Sequence, residues 1–179
     1  TMDGRGNGRS DRPAGPAAYR EEEFAADALA VLDATGTERA VLVSLSRGAE
    51  RSLHLAASHP ERVDKLVFIA PGLPLPPATP RLKAIQEFAE QRDENVGWAK
   101  WNQYYWLEHY EDFLEFFFSQ CFTEPHSPKQ REDCVGWALE TDPECLIASV
   151  LADNAAPFNR RGQLALADRV QCPTLVISA

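Results

Sequence analysis

The stretch Ser44-Leu45-Ser46-Arg47-Gly48 has the form small-x-Ser-x-Gly. It stands between a β-branched apolar run, Ala40-Val41-Leu42-Val43, and a segment of helical periodicity. In that context the chain makes a strained strand-to-helix turn that lifts the central side chain out of the sheet, and bulk at 44 or 48 would clash with the backbone closing in around it. Ser46 is therefore the candidate nucleophile. The backbone N–H of Arg47 is the candidate oxyanion donor, because unpaired amides and the macrodipole at a helix start favour negative charge. A serine hydroxyl is a weak nucleophile without a general base. His54 lies two turns along the following helix and points along it, His59 adjoins Pro60 at a helix end, and His109 and His126 fall among aromatics and polar turns. None of the four is read as the base. The next strand ends in Pro71-Gly72-Leu73-Pro74 and supplies no carboxylate.

Other chemistries find less support. Gly4, Gly6 and Gly8 follow no strand and open no helix, so they are read as a tight turn and not as a phosphate cradle. Cys121, Cys134, Cys145 and Cys172 form no C-x-x-C pair and have no histidine at ligand spacing; buried reduced thiols are expected, with no metal. Eighteen basic against 27 acidic residues give a net charge of −9, which repels phosphate backbones and anionic lipid heads. A small-molecule substrate is thus expected, with no nucleic acid and no membrane. The apolar runs fall far short of the roughly 20 residues of a membrane span, and the charged, glycine-containing start lacks the apolar stretch of a secretory signal. A cytoplasmic location is expected; no feature sets an oligomeric state.

These residues need elements to hold them. From Tyr19 to Ala34 the residues Phe24, Ala25, Ala28, Leu29, Val31 and Leu32 recur at helical steps. They predict a helix capped by Gly36, with Glu21-Glu22-Glu23 as a solvated first turn. Ala40–Val43 and Val63–Ala70 predict strands buried on both faces of a parallel sheet, joined by a helix that begins at Arg47 and stops before Pro60. Pro74, Pro76, Pro77 and Pro80 predict a stiff linker. Between Arg81 and Val170 lie 14 of the 17 aromatic residues and all four tryptophans, with helical spacing in Leu82, Ile85, Phe88, Ala89, then Trp98, Trp101, Tyr105, then Tyr110, Phe113, Leu114, Phe117, then Cys145 to Leu151. So many aromatic faces exceed what a small helical core can bury. Trp98, Trp101 and Tyr105 are accordingly the candidate substrate contacts. Cys172–Ser178 predicts the return of a buried strand. The expected organisation is an α/β core in 1–73, a helical cap in 74–161 and a return to the core in 162–179.

The run Asp3-Gly4-Arg5-Gly6-Asn7-Gly8-Arg9-Ser10 resembles the D-x-R-G-x-G-x-S loop of the α/β-hydrolase fold superfamily, and the Ser46 turn follows at that family's distance. Ala56–Val63 resembles its helix-to-strand connection, and Cys172–Ser178 the strand before its acidic residue. The chain departs from the family at Ser44, where glycine is usual. The resemblance implies a partial α/β-hydrolase parallel sheet with flanking helices and an inserted helical cap. It also implies attack by Ser46 on an ester, amide or related carbonyl, with the Arg47 amide as oxyanion donor and no cofactor. It places the oxyanion loop upstream of Asp3, and the acid and histidine downstream of the last strand. The sequence thus reads as the middle of a longer protein, inactive alone. Two alternatives stay open: a non-catalytic module of this fold that binds a small apolar ligand or a partner protein, and C–C bond hydrolysis or peroxidase-like chemistry through the same serine.

Overall fold

The computed structural model describes residues 2–73, 80–154 and 160–178. Along the chain its elements are α1 (Glu21–Ala34), β1 (Ala40–Leu45), α2 (Gly48–Ser58), β2 (Val63–Ile69), α3 (Pro80–Gln86), α4 (Gln103–Cys121), α5 (Pro128–Ala138), α6 (Pro143–Asn154), α7 (Arg160–Ala167) and β3 (Thr174–Ile177). They group into two compact units. One comprises Thr1–Pro16 with Pro77–Asn154, the other Ala17–Pro76 with Ala155–Ala179.

The second of these units is α/β. Among the described residues its sheet has the order β1-β2-β3, parallel throughout, with Val43 beside Val67 and Phe68 beside Val176. Two neighbouring parallel strands require a crossover, and α2 provides it between β1 and β2. The core is built from Ala25, Ala49, Leu53, Leu55, Ala56, Val63, Leu66 and Phe68. Helix α1 ends as its spacing predicts. The Thr37 N–H donates to Leu32 O and the Gly36 N–H to Asp33 O, with Gly36 at φ 64°, a Schellman closure of the last turn.

The strands are less covered than their composition suggests. Only the central β2 buries most of its apolar side chains (Val63, Leu66, Phe68); Val41, Val43 and Leu45 of β1 are 52–65% exposed, and β3 is exposed along its length. Side chains alternate between the two faces of a strand, and α2 packs against one face. The expectation of burial on both faces is therefore wrong for β1 and β3 among the described residues.

The other unit is helical, around Phe88, Trp106, Phe113, Leu114, Val135 and Val150. Its long helix α4 begins at Asn102, whose side-chain oxygen accepts from the Tyr104 and Tyr105 N–H groups while its amide donates to Glu90 O at 2.7 Å. The helix is interrupted at His109, where the backbone leaves helical geometry (φ −137°, ψ 43°). Two local expectations are corrected. Trp98 lies in a 3₁₀ turn, Gly97–Lys100, and Trp101 in the non-helical link before α4, because Asn102 starts a new helix there. Pro80 opens α3, where its missing N–H costs nothing; Pro74, Pro76 and Pro77 lie outside the described residues.

The loop before α1 belongs to this helical unit. Asp3 organises it: its carboxylate accepts the Arg9 N–H at 3.0 Å and its carbonyl the Ser10 hydroxyl at 2.6 Å. A Cβ on Gly8 would come within 2.5 Å of that carboxylate, so residue 8 has no room for a side chain. Arg12 donates to Glu140 O at 2.7 Å and pairs with Asp142, and the Thr141 hydroxyl donates to Gly6 O. Among the described residues the four cysteines form no disulfide, and none is fully buried: Cys121 is exposed in the last turn of α4 and the others are half-buried.

Candidate active site

Ser46 occupies the turn between β1 and α2, exposed, with φ 51°. A residue other than glycine in the left-handed region is strained, and persists where surrounding bonds over-determine it. Those bonds are present. The Ser46 N–H donates to Ile69 O at 3.0 Å, and the Ser46 carbonyl accepts from Gly72 N at 2.9 Å and Ala49 N at 3.1 Å. Because the peptide unit is planar and trans, fixing the Ser46 C=O also fixes the direction of the Arg47 N–H on its far side. Arg47 is the residue before α2, so its amide belongs to the positive end of that helix.

Gly72 makes this grip possible. A Cβ there would lie 3.2 Å from both Ser46 C and Arg47 N, against the face of the peptide that joins them. A Cβ on Gly48 would meet the Ser44 Cβ at 3.5 Å, an ordinary van der Waals contact, so the clash expected for bulk at 48 does not begin at a methyl. In the sequence Pro71-Gly72 marks only the end of β2. Its proximity to the turn comes from the parallel pairing that sets Leu45 beside Ile69.

The Arg47 side chain is anchored. Its Nε and a terminal nitrogen lie 2.8 and 2.7 Å from Glu21 Oε1, and the Arg51 Nε donates to Glu21 Oε2 at 3.2 Å. The Arg51 guanidinium in turn lies over the Phe24 ring, 3.6 Å from its centroid. Glu21 is only 5% exposed, so the expectation of a solvated first turn fails there, though Glu22 and Glu23 are exposed. One carboxylate facing two guanidinium groups is the compensation a buried charge requires. The i, i+4 spacing of Arg47 and Arg51 on one helix face was the available signal.

Among the described residues no side chain hydrogen-bonds the Ser46 hydroxyl. His54 is half-buried on α2 with Nδ1 3.8 Å from Glu22 Oε1, His59 caps α2 beside Glu61, His109 marks the α4 kink next to Glu108, and His126 is exposed. Nor, among the described residues, do three or more His, Cys, Asp or Glu side chains group as a metal site would require. No described helix is long and apolar enough to cross a membrane.

Trp98 and Trp101 stand together in the helical unit, their rings 6.4 Å apart, while the Tyr105 ring meets His109 at 4.8 Å. Trp98 meets Phe116 edge-on at 5.4 Å, and Trp101 meets Trp106 at 5.3 Å and Phe113 at 5.6 Å, with the Arg81 guanidinium 5.5 and 5.9 Å from the two indoles. Trp101 and Tyr105 both pack on the helical core. The Tyr105 hydroxyl donates to Asp112 at 2.6 Å, and that bond pushes its pKa up to about 12; hydrogen bonds from Lys100 and Tyr105 hold the Asp112 carboxyl below the usual range.

Known proteins place the chain. A family model described as the alpha/beta hydrolase fold matches residues 1–177. A protein named as a carbamate hydrolase, RutD, from Klebsiella pneumoniae is 31% identical over the whole chain, which spans 61% of that relative's length. A 2-hydroxymuconate semialdehyde hydrolase from Pseudomonas sp. is 41% identical over 49% of this chain and 32% of its own. A crystal structure of a hydrolase from Pseudomonas aeruginosa superposes with a TM-score of 0.67 at 29% identity, covering 99% of this chain and 59% of that one. With a family model matching almost end to end and the strained serine turn in place between parallel strand and helix, the chain belongs to the alpha/beta hydrolase fold family.

Proposed function

We propose that the protein containing this chain is a serine hydrolase in which Ser46 attacks an ester, amide or related carbonyl. The Ser46 Oγ would add to the carbonyl carbon as its proton passes to a general base, and the resulting oxyanion would accept the Arg47 N–H. Collapse would expel the alcohol or amine and leave an acyl-Ser46, which water then hydrolyses. The observation that carries this reading is Ser46 itself: an exposed serine at φ 51°, its carbonyl pinned by two N–H donors so that the next amide heads α2. Residues 74–161 are read as the substrate-covering cap, with Trp98, Trp101 and Tyr105 supplying its apolar contacts. Relatives named as a carbamate hydrolase and as a semialdehyde hydrolase support a reading in which a carbonyl compound is attacked.

The test is covalent. The whole protein incubated with an alkyl fluorophosphonate should gain one phosphonyl group on the peptide containing Ser46, and Ser46→Ala should gain none. A folded protein that stays unlabelled, or a label that survives in Ser46→Ala, would point instead to a non-catalytic module that binds a small apolar ligand or a partner protein.

A further inference from the structure

We propose that Glu21 is a positioning residue for the Ser46 turn: its buried carboxylate holds the Arg47 side chain and so braces the residue whose backbone N–H the hydrogen bonds to the Ser46 carbonyl aim. The assignment rests on the reading of that amide as the oxyanion donor. Three facts converge on it. Glu21 is only 5% exposed, and a buried carboxylate is unusual unless it is paired. Its Oε1 takes both contacts from Arg47, at 2.8 and 2.7 Å, a charge-assisted arrangement stronger than a neutral hydrogen bond. And Arg47 is the residue whose own amide shares a peptide unit with the Ser46 carbonyl, which Gly72 and Ala49 already hold from the other side. The backbone bonds fix one end of that unit; the ion pair fixes the residue at its other end, so that rotation about the Arg47 backbone is opposed from a neighbouring helix.

A purely structural role, tying α1 to α2, would be served equally by Arg51, which pairs with the other oxygen of the same carboxylate one helical turn further on and stacks on Phe24. Arg51 lies in α2, one helical turn beyond the serine turn. It therefore separates the two explanations.

The experiment compares Glu21→Gln, Arg47→Met and Arg51→Met in the whole protein. Two readouts are taken: native-state hydrogen exchange of peptides covering residues 44–50, and the rate of Ser46 labelling by the fluorophosphonate. Glu21→Gln and Arg47→Met should speed exchange in 44–50 by about tenfold, as loss of a hydrogen bond to a charged group does. Labelling should slow by a similar factor. Arg51→Met should leave both within about threefold even where it lowers the melting temperature equally. Should Glu21→Gln or Arg47→Met fail to fold, Arg47→Lys, which keeps the charge but loses the guanidinium fork, carries the comparison with an intermediate effect expected. Equal exchange in 44–50 for the Arg47 and Arg51 variants overturns the proposal. Faster exchange confined to the Glu21 and Arg47 variants, in a protein that never labels at Ser46, upholds the positioning role and rejects the serine hydrolase reading instead.

Discussion

Individual atoms decide whether Ser46 can present its hydroxyl, and Gly72 is the residue on which that depends most directly. A methyl at position 72 would meet backbone atoms of Ser46 and Arg47 at 3.2 Å, and backbone cannot swing aside as a side chain does. Gly72→Ala should cost about 2 kcal/mol of stability, the range of an overpacked contact, and should slow Ser46 labelling; urea denaturation and the fluorophosphonate assay would measure the two effects. In the helical unit the corresponding residue-scale test is a titration. Tyr105 should ionise near its raised value of about 12, and Asp112→Asn, which removes the accepting carboxylate, should return it toward the ordinary tyrosine value in an ultraviolet titration. The sign follows from linkage. The raised Tyr105 value contributes stability that is present below the ordinary tyrosine pKa and is lost as pH climbs from 10 to about 12. The lowered Asp112 value contributes stability above the ordinary carboxylate range, lost as pH falls through its depressed value. The Asp112 carboxylate is exposed, so solvent screening keeps these contributions small and makes the titration itself the sensitive readout.

At the scale of the element, α4 is the clearest case of a helix positioned by a single residue. Asn102 is 1% exposed, accepts two N–H groups of the first turn and donates to Glu90 O. Asn102→Ala removes the cap and leaves the Glu90 carbonyl without its donor; a loss of about 1 kcal/mol is expected, seen as a lower denaturation midpoint. Neither the helical spacing of Trp98, Trp101 and Tyr105 nor the composition of the segment identifies Asn102 as the boundary, because periodicity reports a face and not a start. Elements bounded by local stereochemistry were easier to read. The helix 21–34 with its Gly36 closure, the helix that stops at Pro60 and the serine turn are each set by residues within a few positions of one another.

Over the whole molecule, the α/β unit is discontinuous in sequence. It is assembled from Ala17–Pro76 and Ala155–Ala179, and β3 pairs with β2 more than a hundred residues away. The chemistry proposed for Ser46 needs a base, and among the described residues no side chain hydrogen-bonds its hydroxyl. Residues 1–179 alone should accordingly hydrolyse p-nitrophenyl esters no faster than their Ser46→Ala variant, since loss of a triad partner costs on the order of 10⁶ in kcat in a well-studied protease. Turnover that vanishes in Ser46→Ala would identify a base within this chain, with His54 and His109 the first to substitute.

The fold class, the strand–serine–helix turn at 44–48, the tight turn at Gly4, Gly6 and Gly8 and the helical periodicity between Arg81 and Val170 are legible in the sequence alone. All of these rest on short-range causes: apolar periodicity, the sterics of small residues beside a strained φ, and the missing N–H of proline. Tertiary structure alone decided that Glu21 is buried while Glu22 and Glu23 are not, that Gly72 lies against the Ser46–Arg47 peptide, and that Val43 stays exposed in an apolar strand. Each of these depends on which distant segment packs against which face, and partners 25 or more positions apart are not specified by a local pattern.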